Sequence, residues 1–169
     1  YLDSSQYNLQ KMQALYDNGT PSQAIEFFEV HFKAKLNSFD PKDNALKLLY
    51  AQSLRSVGRP QEAMDILSSI LASKSNYFEA YLNLGHICLQ MSSFDDAITF
   101  YKRALGEKPK SIDAMFGLGM VYQKLDLFKQ SLYWLRSVVR LTSDSTIEAA
   151  LVNSLNKNDN IQESIKIAE

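Results

Sequence analysis

The sequence predicts an all-α chain built as a stack of antiparallel helix pairs, and three observations predict it. Small residues recur: Ala63, Ala97 and Ser131 follow one another at one constant interval of about 34 residues, inside the similar contexts Gln61–Met64, Asp95–Ile98 and Lys129–Leu132. Apolar residues fall at helical spacings of three and four, as in Tyr81, Leu84, Cys88 and Met91, then Phe94, Ala97, Ile98, Tyr101, Ala104 and Leu105. No stretch alternates with the period of two that a half-buried strand requires.

The pattern extends in both directions. Ala24 takes the same role ahead of Ala63, at a somewhat longer interval, and Ser164 takes it after Ser131 at nearly the regular one. The chain therefore reads as one array of about five units, at 5–43, 44–77, 78–111, 112–145 and 146–169, the last of them truncated. Each complete unit is expected to hold two helices of roughly 13–15 residues joined by a tight turn.

Taken in order, the breaks carry the chemistry of helix ends. In Asn18-Gly19-Thr20-Pro21-Ser22-Gln23, Gly19 is the expected helix stop and Thr20 the N-cap. Pro21 falls at the first helical position and Gln23 at the capping-box position. The extra residues of the first unit, near 36–40, are expected to lengthen its second helix by about a turn, giving Phe32, Leu36 and Phe39 a shared face. Asp40-Pro41 is expected to cap the next helix. Gly58-Arg59-Pro60 repeats the stop and restart, Ser92-Ser93 breaks the third unit, and Pro109 separates the third unit from the fourth.

The packing logic follows from side-chain size. One helix pair cannot bury its apolar face alone, so neighbouring pairs must stack. Gly85 and Gly119 allow the two helices of a unit to approach, while Ala97, Ala104 and Ser131 admit the next unit's first helix. Tyr101, Tyr122, Phe94 and Phe128 fill the gaps between pairs. The truncated last unit leaves Ile161, Ile165 and Ala168 as an exposed end, which admits self-association.

Composition excludes several functions. Eighteen basic residues against 19 acidic ones give a net charge of −1, with no basic excess for duplex nucleic acid or a membrane surface. No apolar run approaches the ~20 residues that cross a bilayer. Cys88 is the sole cysteine, so no internal disulfide forms and a cysteine-based metal site is not expected; a reducing, intracellular compartment fits best. The chain starts without Met and stops inside a helical pattern, so it reads as part of a longer protein.

Nothing in the sequence points to catalysis, a cofactor or a metal. His31 and His86 stand far apart in the chain, with no ligand-spaced partner beside either. Gly117-Leu118-Gly119 reads as a two-glycine coincidence inside a helix rather than a phosphate loop. Asp95-Asp96 sits at a helix N-terminus, where carboxylates favour the dipole. Cys88 occupies a core position, so a buried structural thiol is expected rather than a nucleophile.

These slots resemble the tetratricopeptide repeat family. The unit 78–111 carries Tyr81, Leu84-Gly85, Cys88 where a tyrosine is usual, Ala97, Tyr101, Ala104 and Pro109. The unit 112–145 carries Met115, Leu118-Gly119, Tyr122, Ser131, Leu135 and Val138, with Ser143 where proline is usual. The unit 44–77 carries Tyr50-Ala51, Leu54, Ala63, Leu67 and Ile70. The first unit departs most, with His31 where alanine is common. The last keeps only Leu151, Leu155, Ser164 and Ala168. The strict spacing and the Ala97/Ala104 pair favour this family over the related Sel1-type repeat.

The resemblance implies a right-handed superhelix with a concave groove lined by first helices, and a role as a protein-interaction scaffold within a multiprotein complex. Helical spacing places Leu48, Gln52, Arg55, Leu82, Asn83, His86, Leu89, Phe116, Met120 and Gln123 on that lining as candidate peptide-binding residues. Leu48, Leu82, Leu89, Phe116 and Met120 would form its apolar part, and Asn83 could bracket a peptide backbone. His86 is equally a groove contact or an ordinary surface residue. The opposing expectation is that a following helix covers these side chains. The carboxylate clamp that some members use on chaperone tails is not supported, because only Asn83 fits it. Leu48, Gln52, Asp113 and Gly117 occupy the other clamp positions. The expected partner is an apolar or amphipathic peptide segment. Two other roles remain: recruiting substrate for an enzyme domain outside this sequence, or an architectural, self-associating array.

Overall fold

A computed structural model of the 169-residue chain describes residues 4–73, 77–158 and 166–167. The described residues form α-helices and short 3-10 turns, with no strand among them. The helices are α1 (Ser4–Asp17), α2 (Pro21–Phe32), α3 (Asn44–Ser56), α4 (Pro60–Ser73), α5 (Phe78–Gln90), α6 (Phe94–Glu107), α7 (Ile112–Lys124), α8 (Phe128–Val139) and α9 (Ser145–Lys157). The contacts group into two compact units, Tyr1–Asn83 and Leu84–Glu169, with the boundary inside α5.

Three turns inside helix pairs are closed by one backbone device at the repeat spacing. Gly58, Ser92 and Asp126 take left-handed φ values of 80°, 60° and 56°. At each, two amides reach back to carbonyls of the preceding helix. The Arg59 amide donates to Leu54 and Gly58 to Arg55; Ser93 donates to Cys88 and Ser92 to Leu89; Leu127 donates to Tyr122 and Asp126 to Gln123. This is the Schellman pattern, which satisfies the last carbonyls of a helix. Gly19, φ 77°, opens the corresponding turn of the first pair. There the Thr20 hydroxyl donates to the Leu15 carbonyl at 2.7 Å. Thr20 therefore closes the helix before it, and its side chain makes no cap bond to α2 as the sequence had suggested. Pro21 does open α2.

In the unit Tyr1–Asn83, α1 packs on α2 and α3, α2 on α3, and α3 on α4. Phe28 of α2 and Tyr50 of α3 stack with ring centroids 4.2 Å apart and planes 8° from parallel. The Tyr50 hydroxyl donates to Glu29 Oε1 at 2.9 Å. Ala24, Ala51, Leu54, Ala63, Leu67 and Ile70 complete this core.

The extra residues of the first unit do not extend α2. The helix ends at Phe32, whose φ of −132° leaves the helical region, and a 3-10 turn follows at Lys33–Asn37. Ser38 is extended, and a second 3-10 turn, Pro41–Asp43, leads into α3 with Asp40 accepting from the Lys42 amide. The shared face expected of Phe32, Leu36 and Phe39 is lost, and Phe39 stands 72% exposed. Buried polar groups impose this path. Lys47, 1% exposed, donates from Nζ to the Ser38 carbonyl, and Lys35 pairs with the buried Asp43. A straight helix would carry these groups away from each other and leave Lys47 without an acceptor.

In the unit Leu84–Glu169, α6 packs on α7, α7 on α8, and α9 on both α8 and α7. Leu132, Leu135, Leu151 and Leu155 form one cluster, and Met115, Val138 and Ile147 another. A buried polar seam runs beside them. The Ser131 hydroxyl donates to the Gly119 carbonyl at 2.9 Å and lies 3.0 Å from Ser154 Oγ. Ile161, Ser164, Ile165 and Ala168 fall outside the described residues.

Candidate peptide-binding surface

The first-helix side chains that could meet a partner are set by the core positions beside them. In the unit Tyr1–Asn83, the core face of α3 takes Leu46, Leu49, Tyr50 and Leu54, leaving Leu48, Gln52 and Arg55 half-buried on the adjoining stripe. Leu82 is also half-buried. Asn83 is not placed to bracket a ligand as it stands: it is 5% exposed, and its Nδ2 donates to the Glu79 carbonyl one turn back at 2.8 Å.

In the unit Leu84–Glu169, His86, Leu89, Phe116, Met120 and Gln123 are all half-buried. Phe116 packs against both clusters, so part of its ring belongs to the core. Gln123 donates from Nε2 to Ser154 Oγ at 2.9 Å and to the Ala150 carbonyl at 3.2 Å, so α9 holds its amide. His86 Nδ1 lies 2.8 Å from Tyr101 Oη, with the two rings edge to face.

Tyr101 is fully buried, and two glycines make room for it. A Cβ on Gly85 would come within 2.7 Å of the tyrosine ring, and one on Gly117 within 2.4 Å of it. Gly117 is thus a packing position that the sequence reading passed over as coincidence. Its signal was the large Tyr101 slot facing two helices at once. A Cβ on Gly119 would likewise come within 2.7 Å of the Leu135 side chain, so this glycine lets α7 and α8 approach, as its place in the pattern suggested.

Cys88 is 1% exposed, and burial first, then the nearby Asp96 charge, pushes its thiol up to about 11. At neutral pH it stays a protonated, unreactive thiol. No group of three or more His, Cys, Asp or Glu side chains gathers as a metal site among the described residues. No helix among them is long and apolar enough to cross a membrane.

The helix hairpins, their regular recurrence and the small-residue slots define a helical-repeat protein. Residues 78–111 match the family model described as Tetratricopeptide repeat, so this part of the chain carries a tetratricopeptide repeat. A search of curated proteins gives no match. Among solved structures the chain is similar to MamA 41-end from Desulfovibrio magneticus RS-1, with a TM-score of 0.81 at 17% identity, covering 98% of this chain and 92% of that one. It is also similar to the MamA RS-1 ArsTM double mutant (TM-score 0.81, 17% identity, 98% and 91% covered). A crystal structure of MamA matches with TM-score 0.77 at 18% identity, covering 99% and 91%. At these identities the likeness is one of fold.

Proposed function

We propose that the chain is a protein-interaction module that takes an apolar or amphipathic peptide segment along its first helices, as a scaffold within a multiprotein assembly. The single observation that carries this reading is the state of Leu48, Leu82, Leu89 and Met120. All four lie on first helices, beside the core stripe, and each remains partly open to solvent. Apolar side chains left in that state on a repeat scaffold are what a partner segment would cover. Leu48 and Leu82 serve the unit Tyr1–Asn83, and Leu89 and Met120 serve the unit Leu84–Glu169. Phe116 supplies one face of its ring, while Gln123 and Asn83 are already committed to the chain itself.

The test is affinity capture from a cell lysate with the chain and with Leu48→Ser/Leu89→Ser. Both substitutions lie outside the buried cores, so the variant should keep its helical spectrum. Loss of one captured protein in the variant supports the reading. An unchanged set of captured proteins overturns it.

A further inference from the structure

We propose that the solvent face of α8 is a second docking surface, independent of the first helices, and that it takes an acidic segment of a partner protein with an apolar residue between its carboxylates.

Lys129, Tyr133, Arg136 and Arg140 follow one another at the helical spacings of three and four, so they share one face of α8 and of the turn that continues it. Lys129 and Arg140 are exposed, and Arg136 is half-buried. The other side of the helix carries Ser131, Leu132, Leu135 and Val138 into the core. No acidic residue occurs in α8. Among the described residues, no ion pair engages Lys129 or Arg140. The nearest acids along the chain, Asp126 and Asp144, lie beyond the two ends of the row, and the Asp144 carboxylate accepts from the Thr146 amide.

The ring in this row is exposed yet held. Tyr133 is 66% exposed, and its ring meets Trp134 edge to face with centroids 5.1 Å apart. Trp134 in turn packs against the cluster of Met115, Val138 and Ile147. A large ring braced in water between cations offers contact area at little cost in ordering, as the anchor of an interface does.

Stacking of the hairpins does not require this face. In α6 the same slots hold Asp95, Thr99, Lys102 and Gly106, and in α4 they hold Gln61, Asp65, Ser68 and Ala72. The row of cations around an aromatic ring is therefore particular to α8.

Charge complementarity identifies the occupant. From Lys129 to Arg140 the row runs roughly 16 Å at the helical rise, the reach of about five residues of extended chain. Carboxylates towards its two ends would pair with Lys129 and Arg140, the latter by a two-point contact, while an apolar side chain between them covers Tyr133. Three cations on one helix are too few to hold a membrane surface or a nucleic-acid duplex, and the chain as a whole has a net charge of −1.

The experiment selects a displayed library of random dodecapeptides on the full chain and measures the enriched peptides at about 0.05 M and about 0.5 M salt. The expected peptides carry Asp or Glu on both sides of a large apolar residue and bind less tightly at the higher salt. Lys129→Glu/Arg140→Glu should weaken them at least about tenfold, and Tyr133→Ser about fivefold. Tyr133→Phe, which keeps the ring, should bind as the parent chain does. Lys102→Glu/Lys110→Glu makes the same change of charge at exposed residues elsewhere in the unit Leu84–Glu169, and should alter binding by less than about twofold. All these substitutions fall outside the buried cores and should leave the helical spectrum unchanged. Equal losses from the two charge reversals would show a general attraction rather than a site and overturn the proposal. Selection of no acidic peptide that depends on Tyr133 would also overturn it, as would binding of phosphatidylserine vesicles or a DNA duplex in place of the peptides. Peptides lost only through Leu48→Ser/Leu89→Ser would support the first-helix surface and overturn this one.

Discussion

Tyr101 packs its ring against the backbone of Gly117, at a distance that leaves no room for a Cβ. Because the tyrosine is fully buried and also abuts Gly85 and His86, it cannot swing aside to accept one. Gly117→Ala should therefore destabilise the chain by about 2–3 kcal/mol through overpacking, against a helix-propensity gain of about 1 kcal/mol. Gly106 is the control. Nothing lies within 4 Å of a Cβ there, so Gly106→Ala should be neutral or stabilising by a few tenths of a kcal/mol. Urea titrations of the two variants decide it, and equal midpoints would show that the ring does yield.

The left-handed turns give a second expectation. Ser92 and Asp126 hold a conformation that costs an L residue roughly 1–2 kcal/mol, with Asp tolerating it better than Ser. Ser92→Gly should raise stability by about 0.5 kcal/mol after the entropy that glycine loses on folding. Asp126→Gly should gain less. Gly58→Ala, at φ 80°, should lose about 1 kcal/mol, seen as a lower melting midpoint.

Cys88 makes stability depend on pH in the alkaline range. Its thiol is raised from 9.0 to about 11 by burial, with Asp96 adding to the effect. The unfolded chain releases this proton first, so stability is full below pH 9 and falls as pH rises towards about 11. The loss is on the order of 2–3 kcal/mol. Cys88→Ala should remove this part of the alkaline slope, and the thiol of the folded chain should resist alkylation at pH 8. Ready alkylation without unfolding would contradict the burial.

The small-residue slots predict opposite severities at two equivalent sites. Ala97 is fully buried, so Ala97→Arg places an unpaired charge in the core and should cost about 3–5 kcal/mol or more, enough to unfold the chain. Ser131→Ala only forfeits the bonds to the Gly119 carbonyl and Ser154, about 1 kcal/mol. Circular dichroism on both variants separates the cases, and a native-like Ala97→Arg would break the repeat register.

Much of the fold was legible because its rule is local and repeated. Ala63, Ala97 and Ser131 recur where a neighbouring helix must come close, and all three are fully buried. What escaped the pattern were contacts that depend on three-dimensional neighbours. The path of residues 33–43 is set by Lys47 and Asp43, through bonds that reach across the turn into α3, so helical periodicity could not see it. Thr20 had two helix ends to serve, and sequence order does not say which one wins. On the candidate stripe, spacing set Leu48, Gln52, Arg55, Leu82 and Leu89 beside the core face, but Asn83 is buried. Spacing could not tell that Asn83 would bond its own helix, that α9 would engage Gln123, or that Arg55 would find no acceptor.

The turns at Gly58, Ser92 and Asp126 are each closed by amides and carbonyls of their own hairpin. A hairpin therefore carries its own clasp, and a copy spliced in or removed as a whole would disturb no other clasp. The irregular length at residues 33–43 falls between clasps rather than within one. Growth of such a protein by duplication is tolerated at the joints and resisted at the buckles.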